Sequence, residues 1–391
     1  MKGDLYFDNA ASTPVDERVF ETMKPYFSEN YGNPGSMHSL GLKAANAMED
    51  ARKTVARFLN CTSEEVIFTG SGTESINMAI KGAALALQRK GKHIITQKTE
   101  HHAVLETCRF LEKQGFEVTY IDVDVNGLVD LKKLKEAIKS ETILVSIMYA
   151  NNEIGTIQPI RKIAEICREK KVLFHTDACQ AAGYLDMDVK NLGVDYLSFN
   201  GSKIYGPKGV GALYVKSGRP LLPLIHGGGQ EFGKRSGTEN VPLIVGFAKA
   251  VEIVDTEREK EVARLSELRD YLIYELLKRI PKSLLNGHPI ERLPNNVNVT
   301  FLDVEGEALL LDLDQYGVCA STGSACTSKT LEPSHVILAL GRPYEVAHGS
   351  LRFSLGRYTT REGIDKLLDL LPRIVEKYRM ISPVHLQESQ I

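Results

Sequence analysis

The chain has 391 residues, of which 43% are hydrophobic and 25% charged, an ordinary globular balance. Lys and Arg total 48 against 50 Asp and Glu, so the net charge is −2 and no global basic field exists for nucleic acid or anionic lipid. No apolar run approaches the ~20 residues of a membrane span. Residues 1–9 lack a basic start followed by an apolar stretch, so no secretory signal is expected. The six cysteines include no CxxC pair and lie mostly in apolar or mixed segments. That pattern argues against a secreted disulfide framework and against a structural zinc site. The expectation is a cytoplasmic protein with reduced thiols that binds neither nucleic acid nor membrane.

Between residues 64 and 215 short β-like runs alternate with helical patterns. Strands are predicted at 66–69, 93–96, 117–121, 143–148, 172–176, 196–199 and 212–215. Amphipathic helices are predicted at 75–89, 104–113, 131–140 and 160–170; in the first, Ile76, Ile80, Ala84 and Leu87 recur at near-helical spacing. Such alternation predicts an α/β domain around a mostly parallel seven-stranded sheet, and the continuous apolar runs suit strands covered on both faces. A charged helical stretch, 241–279, follows and reads as a solvated connection between domains. Strand-like runs at 296–301 and 351–354 and helical ones at 307–315 and 364–380 predict a smaller α+β domain. The expected division is a large domain, 15–259, and a small domain made of 1–14 and 260–391.

Several loops that follow predicted strands carry chemistry. Gly70-Ser71-Gly72-Thr73-Glu74-Ser75 opens a helix; its small residues let backbone N–H groups approach a phosphate, though a plain Ser-capped turn would look the same. His101 follows the strand at 93–96, where α/β ligands bind, and would equally suit a satisfied core histidine. Asp177, with Gln180 three residues on, follows the strand at 172–176; it suits a helix N-cap or a partner for a protonated heterocyclic nitrogen. Lys203 lies in a loop of small and turn-forming residues, Asn200-Gly201-Ser202-Lys203, and is a candidate Schiff-base amine. A phosphate cradle, a ring-sized His, an Asp–x–x–Gln and a Lys in one α/β domain together fit pyridoxal 5′-phosphate (PLP). Cys326 sits in Ser321-Thr322-Gly323-Ser324-Ala325-Cys326-Thr327, a polar stretch without apolar periodicity, which suits a nucleophile or sulfur carrier. Arg352, in a predicted strand, suits a clamp for a substrate carboxylate or a structural ion pair.

Ordered motifs run along nearly the whole chain: YFDNAASTP (6–14), GNPG (32–35), TEH (99–101), NNEIG (151–155), KIYGPKG (203–209), RSGT (235–238), GSACT (323–327), LEPS (331–334) and RFSLGR (352–357). In these the sequence resembles the IscS/NifS-type cysteine desulfurases, fold-type I PLP enzymes of the class V aminotransferase family. The resemblance implies that Lys203 forms the Schiff base with PLP, that His101 stacks on the ring and assists proton transfer, and that Asp177 and Gln180 pair with the ring nitrogen and oxygen. It implies that Gly72 and Thr73 bind the phosphate, that Asn152 lies against cofactor and substrate, and that Arg352 clamps the cysteine carboxylate. Thr238 would reach the phosphate of a neighbouring subunit, which implies a homodimer. Cys326, on a loop of about 321–332, would accept sulfur from L-cysteine and pass it to an IscU-type iron–sulfur scaffold, where it would also transiently ligate a [2Fe–2S] cluster. Family members carry Ser and His where this chain has Asn200 and Ser202; each can still donate a hydrogen bond to a phosphate, but Ser202 supplies no cation. The competing readings are another PLP enzyme, such as an aminotransferase or selenocysteine lyase, and a sulfur-transfer platform without efficient turnover.

Overall fold

The computed structural model describes residues 5–323, 332–383 and 386. Seven strands form the main sheet: β1 (Val66–Thr69), β2 (His93–Gln97), β3 (Glu117–Ile121), β4 (Thr142–Ser146), β5 (Leu173–Asp177), β6 (Tyr196–Asn200) and β7 (Gly211–Val215). Their spatial order is β1-β7-β6-β5-β4-β2-β3. Pairs among β2 to β6 are parallel, while β7 runs antiparallel to both β6 and β1. All strands except β7 therefore end at the same edge of the sheet.

The continuous apolar runs have the expected cause. Strands such as β4 and β7 are buried along their whole length because helices cover both faces. On one face the helices Gly72–Leu87 and His102–Lys113 pack Ile76, Ile80, Val104 and Leu111 against Ile67, Ile94 and Leu144. On the other, Ser39–Leu59 and the first half of Val241–Arg279 bring Val55, Leu59, Phe247 and Val251 against Phe68, Phe174 and Phe199. Only β3, at the sheet edge, is exposed along part of its length.

A second sheet of β8 (Ser283–Leu285), β9 (Asn296–Phe301) and β10 (Ser350–Ser354) has the order β10-β9-β8 and is antiparallel throughout. Its core joins Val297, Val299 and Phe353 to Leu367 and Leu371 of the helix Arg361–Ile381 and to Leu265, Leu272 and Leu276. The helix Val241–Arg279 thus serves two cores: it has no buried residue between Val254 and Leu265, where the charged run lies. It is more than the solvated connection its charges suggested. The N-terminal segment also belongs here, since Phe7 is buried in this core and its N–H donates to the Cys319 carbonyl at 2.7 Å.

Candidate active site

Gly72, His101, Asn152 and Lys203 follow β1, β2, β4 and β6 at the common edge, and Asp177 is the last residue of β5 there, one residue further along the strand than predicted. They meet in one cavity of about 240 Å³, whose walls also include Thr73, Gln180, Asn200 and Arg352. Ser202 and Thr238 are not in those walls, and Cys326 lies outside the described residues.

Local chemistry fixes each group. Ser71 caps the helix Gly72–Leu87 by accepting from the Glu74 N–H at 3.1 Å, so the Ser-capped turn is present at the cavity wall. Gly72 leaves room there: a Cβ on it would stand 2.6 Å from Cys179 Sγ and 3.2 Å from Asn200 Nδ2, so a neighbouring side chain would have to shift. Asp177 caps no helix. Its Oδ1 accepts from the Cys179 N–H at 2.9 Å, which turns the chain back beneath the cavity and brings Gln180 into its wall. Gln180 Nε2 donates to the Ala10 carbonyl at 2.9 Å, and Lys203 Nζ donates to the Ala11 carbonyl, so the N-terminal segment roofs the site. His101 is the N-cap of its helix, with Nδ1 accepting from the Ala103 N–H at 3.0 Å. That bond makes Nδ1 the unprotonated nitrogen and puts the proton on Nε2.

Arg352 is 2% exposed and comes from β10, in the second sheet. One guanidinium N–H donates to Asp8 Oδ1 at 2.8 Å and another to the Asn152 carbonyl at 3.0 Å. Arg352 therefore forms the ion pair that its sequence position allowed, and it also lines the cavity. Its Nε is buried without a hydrogen-bond partner, as are Asn152 Oδ1 and Asn200 Oδ1. Orphaned polar atoms are costly in a closed interior, and in one cavity they mark where a polar ligand sits.

Two buried groups around the cavity carry shifted acidities. Glu100, fully buried, accepts from the Met148 N–H at 2.7 Å; burial, reinforced by the nearby Asp177 charge, pushes its carboxyl well above the usual range. Burial, with Asp177 beside it, likewise pushes the Cys179 thiol well up, consistent with a filler and not a nucleophile. Sequence reasoning assigned no role to Asp8, Ala10, Ala11 or Glu100, although 8–11 and 100 fall inside the YFDNAASTP and TEH motifs.

Residues 5–367 match the family model described as aminotransferase class-V. A protein of Dictyoglomus turgidum named cysteine desulfurase IscS is 56% identical over 383 residues, covering 98% of this chain and 97% of that one. The chain belongs to the class-V aminotransferase family, in its cysteine desulfurase branch. Among solved structures, one titled NifS-like protein superposes on this class-V chain with a TM-score of 0.91, at 41% identity, covering 96% of this chain and all of that one. Another, titled SspA in complex with cysteine, gives a TM-score of 0.78 at 40% identity, covering 91% and 99%. Among the described residues, no helix of this family member is long and apolar enough to cross a membrane, and no cluster of three potential metal ligands occurs.

Proposed function

We propose that this cysteine desulfurase binds PLP in the cavity at the sheet edge and converts L-cysteine to L-alanine, with Cys326 taking the sulfur. The carrying observation is the convergence of Lys203, Asp177, His101, Gly72 and Arg352 on one cavity that also holds orphaned buried polar atoms. That donor set fits PLP: a glycine-floored helix start for a phosphate, a carboxylate, a ring-sized face and an amine. Asn200 and Thr73 would bind the phosphate with Gly72, Ser202 would add a neutral donor from the neighbouring turn, and Gln180 would meet the ring oxygen.

Bound PLP supplies an electron sink for negative charge at the substrate Cα. Asp177 keeps a proton on the ring nitrogen. Arg352 and Asn152 orient the substrate, the guanidinium holding its carboxylate. Lys203 Nζ would hold the cofactor and would move the Cα proton of the substrate, and His101 Nε2 would assist proton transfer to and from the substrate. The Cys326 thiolate then takes the substrate sulfur. L-cysteine and an enzyme thiol become L-alanine and an enzyme persulfide, so no external oxidant or reductant is needed.

The quaternary and cellular reading follows from the same resemblance. Two copies form a homodimer in which Thr238 of each reaches the other's phosphate site, which is supported by its exposure and by its place outside the cavity wall of its own chain. The sulfur acceptor is an IscU-type scaffold in the cytoplasm, with Cys326 transiently ligating the nascent [2Fe–2S] cluster. The large domain, 15–259, and the small one, 1–14 with 260–391, meet within the long helix, a division supported by its switch from one core to the other. The test is the release of alanine and sulfide from L-cysteine by the PLP-loaded protein under a reducing thiol. Equal amounts of both are expected, and a PLP-loaded protein that forms no alanine refutes the reading.

A further inference from the structure

The NNEIG motif has a buried acid that the mechanism does not use. Glu153 is 1% exposed, immediately after Asn152 in the cavity wall. Its backbone is fixed: the N–H donates to Asn151 Oδ1 at 2.8 Å, and its carbonyl accepts from Asn296 and Asn298 of β9 at 3.0 and 3.1 Å. Its side chain is not among the groups that line the cavity. Glu153 Oε2 accepts the Ser334 hydroxyl proton. A Cβ on Gly323 would stand 2.6 Å from that same oxygen and 2.6 Å from Ser334 Cβ. Gly323 and Ser334 are the residues at which the chain leaves for, and returns from, the segment 324–333. Both stems are packed on one carboxylate, which a bare Gly on one side and a small hydroxyl on the other make possible.

Each stem also continues into the site. Ser321 exchanges backbone hydrogen bonds with Arg352, at 2.7 and 3.2 Å, and its hydroxyl donates to Asp8 Oδ1 at 2.8 Å. On the other stem a ring nitrogen of His335 lies 3.0 Å from the Glu100 carbonyl, next to His101. The point at which the two stems meet is therefore fixed relative to the carboxylate clamp and the proton-handling histidine.

We propose that Glu153 is a positioning residue for sulfur transfer: its carboxylate ties Ser334 against Gly323 and so sets the point from which the segment bearing Cys326 reaches the cavity. This rests on the reading of Cys326 as the sulfur acceptor. The clasp acts on the transfer step and leaves the cofactor and the carboxylate clamp alone.

Ser334 also caps the helix His335–Ala339, accepting from the Val336 and Ile337 N–H groups at 3.1 and 3.3 Å. The informative variant is therefore Ser334→Asp, which keeps a capping oxygen but sets a second carboxylate against Glu153. The rate constant for alanine formation in a single turnover of the holoenzyme should fall roughly tenfold or more. The PLP absorbance band and the dissociation constant for cysteine should stay as in the wild type. Adding Glu153→Gln should restore most of the rate, because the amide can donate to the new carboxylate. A wild-type rate in Ser334→Asp, a slow rate that Glu153→Gln does not relieve, or loss of PLP from Ser334→Asp would each overturn the clasp. Cys326→Ser run in parallel separates the two readings. If it still forms persulfide, the acceptor assignment fails and the clasp with it; if it is inactive while Ser334→Asp is normal, the clasp alone fails.

Discussion

Gly72→Ala tests the cradle at its tightest point. The new methyl would stand 2.6 Å from Cys179 Sγ, where ordinary contact begins near 3.4 Å, so the sulfur must retreat by about 0.8 Å. With its backbone N–H bonded to Asp177 Oδ1, Cys179 can yield only by turning its sulfur about χ1 within the packed wall. Gly72 has an ordinary helical position, and Ala there should favour the helix by ~0.5–1 kcal/mol, so the apoprotein need not lose stability. The strain falls instead on Cys179 and Asn200, beside the groups that would meet the cofactor. Overpacking of this kind costs ~1–3 kcal/mol, which corresponds to PLP binding weaker by about 5- to 150-fold. Titration of apoprotein with PLP, followed by its visible band, measures this, and thermal unfolding of the apoprotein controls for general damage. Cys179→Ala in the same chain removes the offending sulfur and leaves only Asn200 Nδ2 at 3.2 Å, so most of the affinity should return. PLP affinity within twofold of wild type in Gly72→Ala, or a loss that Cys179→Ala does not relieve, would refute the cradle.

Ser202→His restores a donor that can be cationic; a charged hydrogen bond contributes roughly 1.5–3 kcal/mol against ~1 for a neutral one, so PLP should bind as well or more tightly, and weaker binding in the same titration counts against the assignment. Cys326→Ser should keep the PLP band and cysteine binding yet lose persulfide and catalytic alanine, whereas Cys61, Cys108 and Cys167, whose thiols burial pushes up, should be replaceable by Ser without loss of turnover; radioactive sulfur from cysteine found on another residue would sink the mechanism. His175 is fully buried between Ser146 and Ser198, and burial lowers its pKa to about 3. The unfolded chain, near 6.5, binds that proton first, so stability is complete above about pH 6.5 and declines below it, by about 2 kcal/mol at pH 5. Denaturant unfolding of wild type and His175→Gln at pH 7 and pH 5 should show a smaller decline in the variant, and equal declines would contradict the burial argument.

The main sheet was legible because buried strands are short apolar runs, which differ from the helices between them in length and period. The predicted strand at 143–148 and the observed Thr142–Ser146 show the limit: Ile147 and Met148 are as buried as the strand but lie in the turn leading to Asn151. The helix Ser39–Leu59 escaped notice because its apolar positions are mostly Ala, Val and Met, interleaved with charges, and its arginine at position 52 is buried on an ion pair with Glu231. β8 is a three-residue, half-exposed edge strand with no pattern of its own. Within the site, the residues after strands could be found because strand ends are where ligands bind. Asp8 could not, because its importance comes from Arg352, 344 residues away, and no local pattern links an acid in an N-terminal turn to a strand of the second sheet.

The same pair bears on how the substrate carboxylate would be recognised. An isolated buried guanidinium would carry a large desolvation cost and would hold any anion indiscriminately. Here Asp8 balances the charge of Arg352, and the Asn152 carbonyl takes a further N–H, so two edges of the fork are committed before a ligand arrives. The buried Nε has no partner, and each terminal nitrogen keeps a second N–H, so three of the five donors are left for a carboxylate. Binding is then completion of a hydrogen-bond set and not the exchange of one ion pair for another. Asp8 also accepts from Ser321, which exchanges backbone bonds with Arg352. The ion pair that tunes the clamp is therefore the one that anchors the stem leading to Gly323. On the proposed reading, substrate recognition and the root of the sulfur-accepting segment would share a single carboxylate, that of Asp8.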